Sequence, residues 1–221
     1  MTKYTNILKD AFRGPLPGIE AQRMMSPSVR FTGRQQHDRT QARNSSVFIL
    51  LFMKADNWHI PFIQRPVYDG AHSGQISFPG GKSEEGDHSL LDTAFRETEE
   101  EIGIKRQDVH FIGELTSLYI PNSNFMVYPQ VGIIQSAPQF KLNTREVESL
   151  IEAPLSKLLH PDSVKRFSRQ INDFQVEAPF FCISQYEIWG ATAMILSEFL
   201  HVVRNSTFDR VSSTPLNELT N

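Results

Sequence analysis

Hydrophobic positions along this chain fall into short runs separated by turn residues, and the period of each run selects its element. Residues 46–53 form an apolar stretch of strand length and residues 58–64 a second. Lys54, Ala55, Asp56 and Asn57 lie between them as a turn, so the pair predicts a hairpin. A Gly-rich loop over residues 69–86 leads into a helix predicted over residues 88–102, which Asp87 or Ser89 can cap and Gly103 can end. Within it Leu91, Phe95, Thr98 and Ile102 recur at helical spacing and form one buried stripe. Residues 109–117, 126–134 and 177–183 read as further strands, and residues 155–159 and 191–203 as helical segments. The order is mixed α and β, with no internal repeat.

The ends of the chain pattern differently. Residues 14–43 are rich in Pro, Gly, Ser and Gln and carry Arg23, Arg30, Arg34, Arg39 and Arg43 without a helical or alternating period, which predicts an irregular arm. Beyond Asn205 the sequence turns polar. The expected organisation is an N-terminal arm packing on the core (1–45), one domain (46–205) and a polar tail (206–221). A chain of 221 residues, 39% hydrophobic and 21% charged, supports one sizeable core. No apolar run approaches the roughly 18 residues of a membrane span, so neither a membrane helix nor a signal peptide is expected. The formal net charge of -3 argues against a nucleic-acid or anionic-membrane surface, and phosphate binding would have to be local. The single cysteine, Cys182, has no internal disulfide partner and lies between Phe181 and Ile183 as a small core hydrophobe, which fits a reducing cytoplasm.

The predicted helix at residues 88–102 carries unusual charge. Glu97, Glu100 and Glu101 stand at i, i+3 and i+4, and with Glu99 they repel one another near a helix C-terminus whose dipole disfavours negative charge. A solvated face is the commoner meaning of an acidic cluster. A divalent cation would offset the repulsion, and clustered hard oxygen ligands suit Mg²⁺ or Mn²⁺. Arg96 can pair with Glu100 at i+4. Upstream, Phe78-Pro79-Gly80-Gly81-Lys82 forms a loop whose adjacent glycines allow close backbone approach to a metal or phosphate.

The run Gly81-Lys82-Ser83-Glu84-Glu85-Gly86-Asp87, followed by Arg96-Glu97-Thr98-Glu99-Glu100-Glu101-Ile102-Gly103-Ile104, resembles the Nudix box, G-x5-E-x7-R-E-U-x-E-E-x-G-U, where U is bulky and aliphatic. Asp87 stands where the pattern has its first glutamate, eight residues rather than seven separate it from Arg96, and Thr98 occupies an aliphatic position. The resemblance implies an α/β Nudix fold, an α/β/α sandwich with a mixed sheet. It also implies Glu97, Glu100 and Glu101 as metal ligands, with the Gly81 carbonyl beside them. The implied activity is metal-dependent hydrolysis of a diphosphate linkage in a small nucleoside-diphosphate derivative, with Glu100 or Glu101 taking a proton from the attacking water.

Upstream, Phe62-Ile63-Gln64-Arg65 and the stretch from His72 through Gln75 to Phe78-Pro79-Gly80-Gly81 resemble the signature of the coenzyme A diphosphatase branch, with Gly70 where its second arginine stands. Similarity extends through Leu16-Pro17-Gly18, Glu146-Val147, Pro154-Leu155-Ser156 and Trp189-Gly190-Ala191-Thr192-Ala193. That branch would cleave coenzyme A or an acyl-CoA to 3′,5′-ADP and 4′-phosphopantetheine or its acyl form. Arg65, Gln75, Gly80 and Lys82 form the expected substrate-binding set; for Arg65 the alternatives are a bidentate phosphate anchor and an edge charge snorkelling over apolar surface. Arg96 and Glu146 complete the expected catalytic set, Glu146 as a further ligand or base. Glu148 and Glu152 read as solvated neighbours on a helical turn. His72 reads as a turn residue rather than a base. Trp189, Ala193, Ile195, Leu196, Phe199 and Leu200 read as core packing rather than a nucleobase platform. ADP-ribose or dinucleotides are the alternative substrates, a non-catalytic nucleotide-derivative sensor is the alternative class, and a homodimer stays open.

Overall fold

The computed structural model describes residues 2–29, 39–66, 74–171 and 174–208. In chain order the helices are α1 (Thr2–Ala11), α2 (Gly18–Arg23), α3 (Leu90–Ile102), α4 (Leu155–Leu159) and α5 (Gly190–Asn205). The strands are β1 (Ser28–Val29), β2 (Arg43–Lys54), β3 (Asn57–Gln64), β4 (Ile76–Ser77), β5 (Gly80–Lys82), β6 (Val109–Glu114), β7 (Leu118–Ile120), β8 (Phe125–Ile134), β9 (Ser149–Pro154), β10 (Val164–Ile171), β11 (Phe174–Ile183) and β12 (Tyr186–Trp189).

The larger sheet runs β4-β3-β2-β8-β6, with β5 also on β2, β7 on β8 and β9 on β3. It is mixed because β2 and β8 pair in parallel over a long register, Arg43 with Phe125 through Leu51 with Ile133, while its other pairs are antiparallel. The predicted hairpin forms only at its tip, where Phe52, Met53 and Lys54 face His59, Trp58 and Asn57. Below the tip the strands part, β9 pairing with β3 and β5 with the other end of β2. This opening seats the Gly80-Gly81 backbone against Val47 and Ser46.

Strand alternation explains the layers. On β2, Phe48, Leu50 and Phe52 turn to one face and pack with Ala94, Phe95 and Ile102 of α3. Ile49 and Leu51 turn to the other face and join a cluster containing Leu8 of α1 and Leu196, Phe199 and Leu200 of α5. Helices therefore cover both faces, which is the expected α/β/α layering. A smaller sheet of β1, β10, β11 and β12 stands beside it. No helix among the described residues is long and apolar enough to cross a membrane.

Several expectations need correction. Residues 14–43, expected to be irregular, contain α2, whose Ala21 and Gln22 are buried, and before them α1, not foreseen in the sequence, sets Tyr4, Ile7, Leu8, Ala11 and Phe12 at helical spacing with Tyr4 and Leu8 buried. Phe208, expected in the polar tail, is fully buried and packs on Tyr4 and Trp58. Glu152 lies on β9 and not on a helical turn, with Lys54 Nζ 2.8 Å from its Oε2, because residues 149–154 are drawn into strand pairing with β3. The strand expected over residues 109–117 ends at Glu114. Cys182 is half-buried on β11 rather than a core residue, because it sits on the face where it pairs with Glu187 of the last strand. Arg30, Arg34, Gly70 and His72 lie outside the described residues.

Candidate active site

α3 is the scaffold of the site. Ser89 caps it by accepting from the Asp92 N–H at 3.1 Å, and Gly103, in the left-handed conformation at φ 74°, closes it with its N–H on Glu99 O. Thr93, Phe95, Thr98 and Ile102 face the core, which turns the carboxylates of Glu97 and Glu101 toward β5.

Glu101 is only 1% exposed and accepts the Gly80 N–H at 2.8 Å, while Arg65 Nη2 lies 3.6 Å from its other oxygen. Burial pushes its carboxyl up to about 8, although Arg65 and the Gly80 N–H pull the other way and Glu97 and Glu146 add to the rise. Burial also raises Glu97, and the Arg96 guanidinium at 2.9 Å opposes that. Gly81 leaves room for the Glu97 carboxylate: a Cβ there would come within 2.4 Å of the Glu97 carboxyl carbon and displace it.

Glu146 arrives from a loop stitched to the end of α3. Lys141 N–H donates to Ile102 O at 2.9 Å and Asn143 N–H to Glu101 O at 3.0 Å, satisfying carbonyls that the helix leaves open. Asn143 Nδ2 then holds Glu146 Oε1 at 3.0 Å. The result is a constellation of Glu97, Glu101 and Glu146 whose ligand oxygens all lie within 4.8 Å of one another. Three hard oxygen donors at this separation, one of them deeply buried, with Arg96 on Glu97 and Arg65 3.6 Å from Glu101 as the cations paired with them among the described residues, fit a divalent cation of the Mg²⁺ or Mn²⁺ type.

The geometry redistributes the expected roles. Glu100 stands outside this trio, half-exposed, with its Oε2 3.2 Å from Arg96 Nη1, because the turn of the helix carries it away from β5. Arg96 donates to both oxygens of Asp87, to Glu97, to Glu100 and to Lys82 O. Hydrogen bonding to Arg96 keeps the Asp87 carboxyl well below the usual carboxylate range.

Arg65, Gln75, Gly80 and Lys82 all line one cavity of about 590 Å³, together with Gly81. Arg65 Nη2 donates to Gly80 O at 3.0 Å. Gly80 contributes wall more than hydrogen bonds, since its N–H and carbonyl are already engaged by Glu101 and Arg65. Pro27, Leu118, Ile120, Phe125 and Met194, which the sequence did not single out, make much of the remaining wall apolar. Trp189 also lines the cavity, half-buried and edge-on to Phe167 at 5.6 Å, and is not a core residue, because β12 ends at the rim. Ala193, Leu196, Phe199 and Leu200 are core as expected, and Ile195 is buried but reaches the cavity wall.

Residues 42–171 match the NUDIX domain family. The Nudix hydrolase NudL of Photorhabdus laumondii is 34% identical over 134 residues, which cover 61% of this chain and 71% of that protein. NudL of Yersinia pestis is 40% identical over 129 residues, which cover 57% of this chain and 62% of that protein. Among solved structures, the MutT protein of Methanosarcina mazei aligns over 78% of this chain and 96% of its own, with a TM-score of 0.47 and 18% identity.

Proposed function

The chain belongs to the Nudix family, and from that premise we propose that it hydrolyses a diphosphate linkage in a nucleoside-diphosphate derivative with the help of Mg²⁺ or Mn²⁺, coenzyme A or an acyl-CoA being the preferred substrate. The observation that carries this reading is the adjacency of the Glu97, Glu101 and Glu146 cluster, through Gly80 and Gly81, to a cavity with Arg65 and Lys82 at one end and apolar walls beyond. A basic end suits phosphates, and an apolar remainder suits a long, weakly polar arm.

In this reading Glu97, Glu101 and Glu146, with the Gly81 carbonyl, hold the cation. Once bound, it neutralises diphosphate charge and acidifies a water molecule. Glu97 is oriented by Arg96, and Glu101 by the Gly80 N–H. Glu146 is the exposed member of the trio, so it, rather than the enclosed Glu101 or the Arg96-bound Glu100, takes the proton from the attacking water. Arg65 and Lys82 orient the phosphates.

The test is turnover of coenzyme A, acetyl-CoA, ADP-ribose and a dinucleotide series with each metal, with products identified by mass. Highest catalytic efficiency on the coenzyme A compounds, with 3′,5′-ADP released, is expected. Preference for ADP-ribose or a dinucleotide overturns the substrate and keeps the chemistry. Binding without turnover by any of them makes the protein a sensor. Glu146→Gln should lower kcat by about a hundredfold.

A further inference from the structure

Glu198, on α5, is fully buried, yet it forms no ion pair among the described residues. Its carboxyl group instead gathers three N–H donors from two distant segments. Oε1 accepts the Gly18 N–H and the Thr116 N–H, each at 3.2 Å, and Oε2 accepts Gln22 Nε2 at 2.8 Å. Gln22, itself 1% exposed, also donates Nε2 to Thr116 O at 2.8 Å, so Thr116 is gripped at both its backbone polar groups. One residue away on α5, Ser197 Oγ donates to Ala21 O at 2.8 Å.

These contacts matter because of where the three segments go next. After α2, which bears Gln22, the chain reaches Ser26 and Pro27 on the cavity wall. After Thr116 it enters β7, whose Leu118, Tyr119 and Ile120 form another stretch of wall. On α5, Met194 and Ile195 form a third, one turn before Glu198. Three separate parts of the wall are therefore tied to one buried carboxyl group lying outside the cavity lining. We infer that Glu198 is a positioning residue for substrate, fixing the apolar walls of the cavity relative to one another while taking no part in the chemistry at Glu97, Glu101 and Glu146. The inference rests on the proposed reading of the cavity as the substrate site.

The network has one satisfactory arrangement. Gln22 Nε2 uses its two hydrogens on Thr116 O and Glu198 Oε2. Glu198→Gln keeps an oxygen for the two backbone N–H groups but sets its own NH₂ against that of Gln22. Turning the Gln22 amide over relieves that clash and creates another, oxygen against Thr116 O. Either way a buried polar group is left wrongly paired, although shape and volume are nearly unchanged.

The experiment compares full-length wild type, Glu198→Gln and Gln22→Leu by steady-state kinetics on the best substrate of the panel and by amide hydrogen exchange without metal. Both variants should raise KM about tenfold while kcat changes by less than about twofold. Exchange should accelerate in residues 24–27 and 116–123 and stay as in wild type in residues 90–102. Gln22→Leu leaves the Gly18 and Thr116 N–H bonds to Glu198 in place, so it serves as the milder variant if Glu198→Gln folds poorly. Unchanged KM, an equal loss confined to kcat, or loss of protection throughout the protein overturns the positioning role. If wild type cleaves nothing in the panel, the functional reading fails separately; exchange confined to the wall segments still supports the positioning role, and its absence overturns it.

Discussion

Arg96 grips both carboxylate oxygens of Asp87, Nε to Oδ1 at 3.0 Å and Nη2 to Oδ2 at 3.1 Å, across the turn that precedes α3. The same Asp87 oxygen, Oδ2, accepts Thr93 Oγ1 at 2.8 Å and the Glu84 N–H at 3.0 Å, so the carboxylate closes the loop onto the helix while presenting Arg96 to Glu97. Asp87, which stands where the Nudix pattern has a glutamate, reaches the guanidinium with both oxygens.

Replacing Asp87 by Asn removes a charge-assisted pair whose acidic side chain is only 5% exposed, and should cost about 2 kcal/mol at pH 7. The folded carboxyl is depressed below its unfolded value, so its stabilisation is present at neutral pH and is lost as pH falls into strong acid. Urea midpoints of wild type and variant should differ at pH 7 and converge on acidification. Equal midpoints at pH 7 would contradict the clamp.

Gly81→Ala drives a methyl group into the Glu97 carboxylate. The protein should fold, because Gly81 lies on the short strand β5 at the edge of the cavity, but activity should fall by about a hundredfold through displacement of a ligand. Circular dichroism with turnover at saturating metal checks both halves; wild-type activity in the variant removes Glu97 from the ligand set.

If Glu101 holds the cation as proposed, metal binding should depend on pH. Its carboxyl sits at about 8 in the metal-free fold, against about 4.3 in an unfolded chain, so the folded state holds the proton more tightly. Its contribution to stability is complete below the unfolded value and is lost as pH rises toward 8. A cation binds the ionised form, and its stabilising effect should grow over that window. Melting temperature with and without Mg²⁺ should therefore separate more at pH 8 than at pH 6, and Glu101→Gln should abolish that difference. A separation independent of pH in wild type would remove Glu101 from the site.

Thr98 is fully buried, and its hydroxyl has no hydrogen-bond partner among the described residues. Thr98→Val keeps the shape and restores an apolar residue where the Nudix pattern has one. It should raise stability by about 1 kcal/mol without altering kcat, as read by urea denaturation and kinetics. A destabilised variant would mean that the hydroxyl is bonded in solution.

What the sequence determined by itself was whatever depends on near neighbours. The stripe of Phe95, Thr98 and Ile102, the Ser89 and Gly103 caps and the paired glycines are local, since helix period, capping and backbone sterics act over a few residues. The same locality made α1 legible in principle, through Tyr4, Ile7, Leu8, Ala11 and Phe12, although intervening lysines and polar residues obscured the stripe. Tertiary structure decided which charges meet. Glu100 and Glu101 are adjacent in sequence, but only Glu101 enters the carboxylate trio, and Glu146 joins it because loop amides satisfy the last carbonyls of α3. The cavity walls and their convergence on Glu198 were equally beyond a linear reading, because burial and hydrogen bonding there link segments that touch only when α2, β7 and α5 pack together.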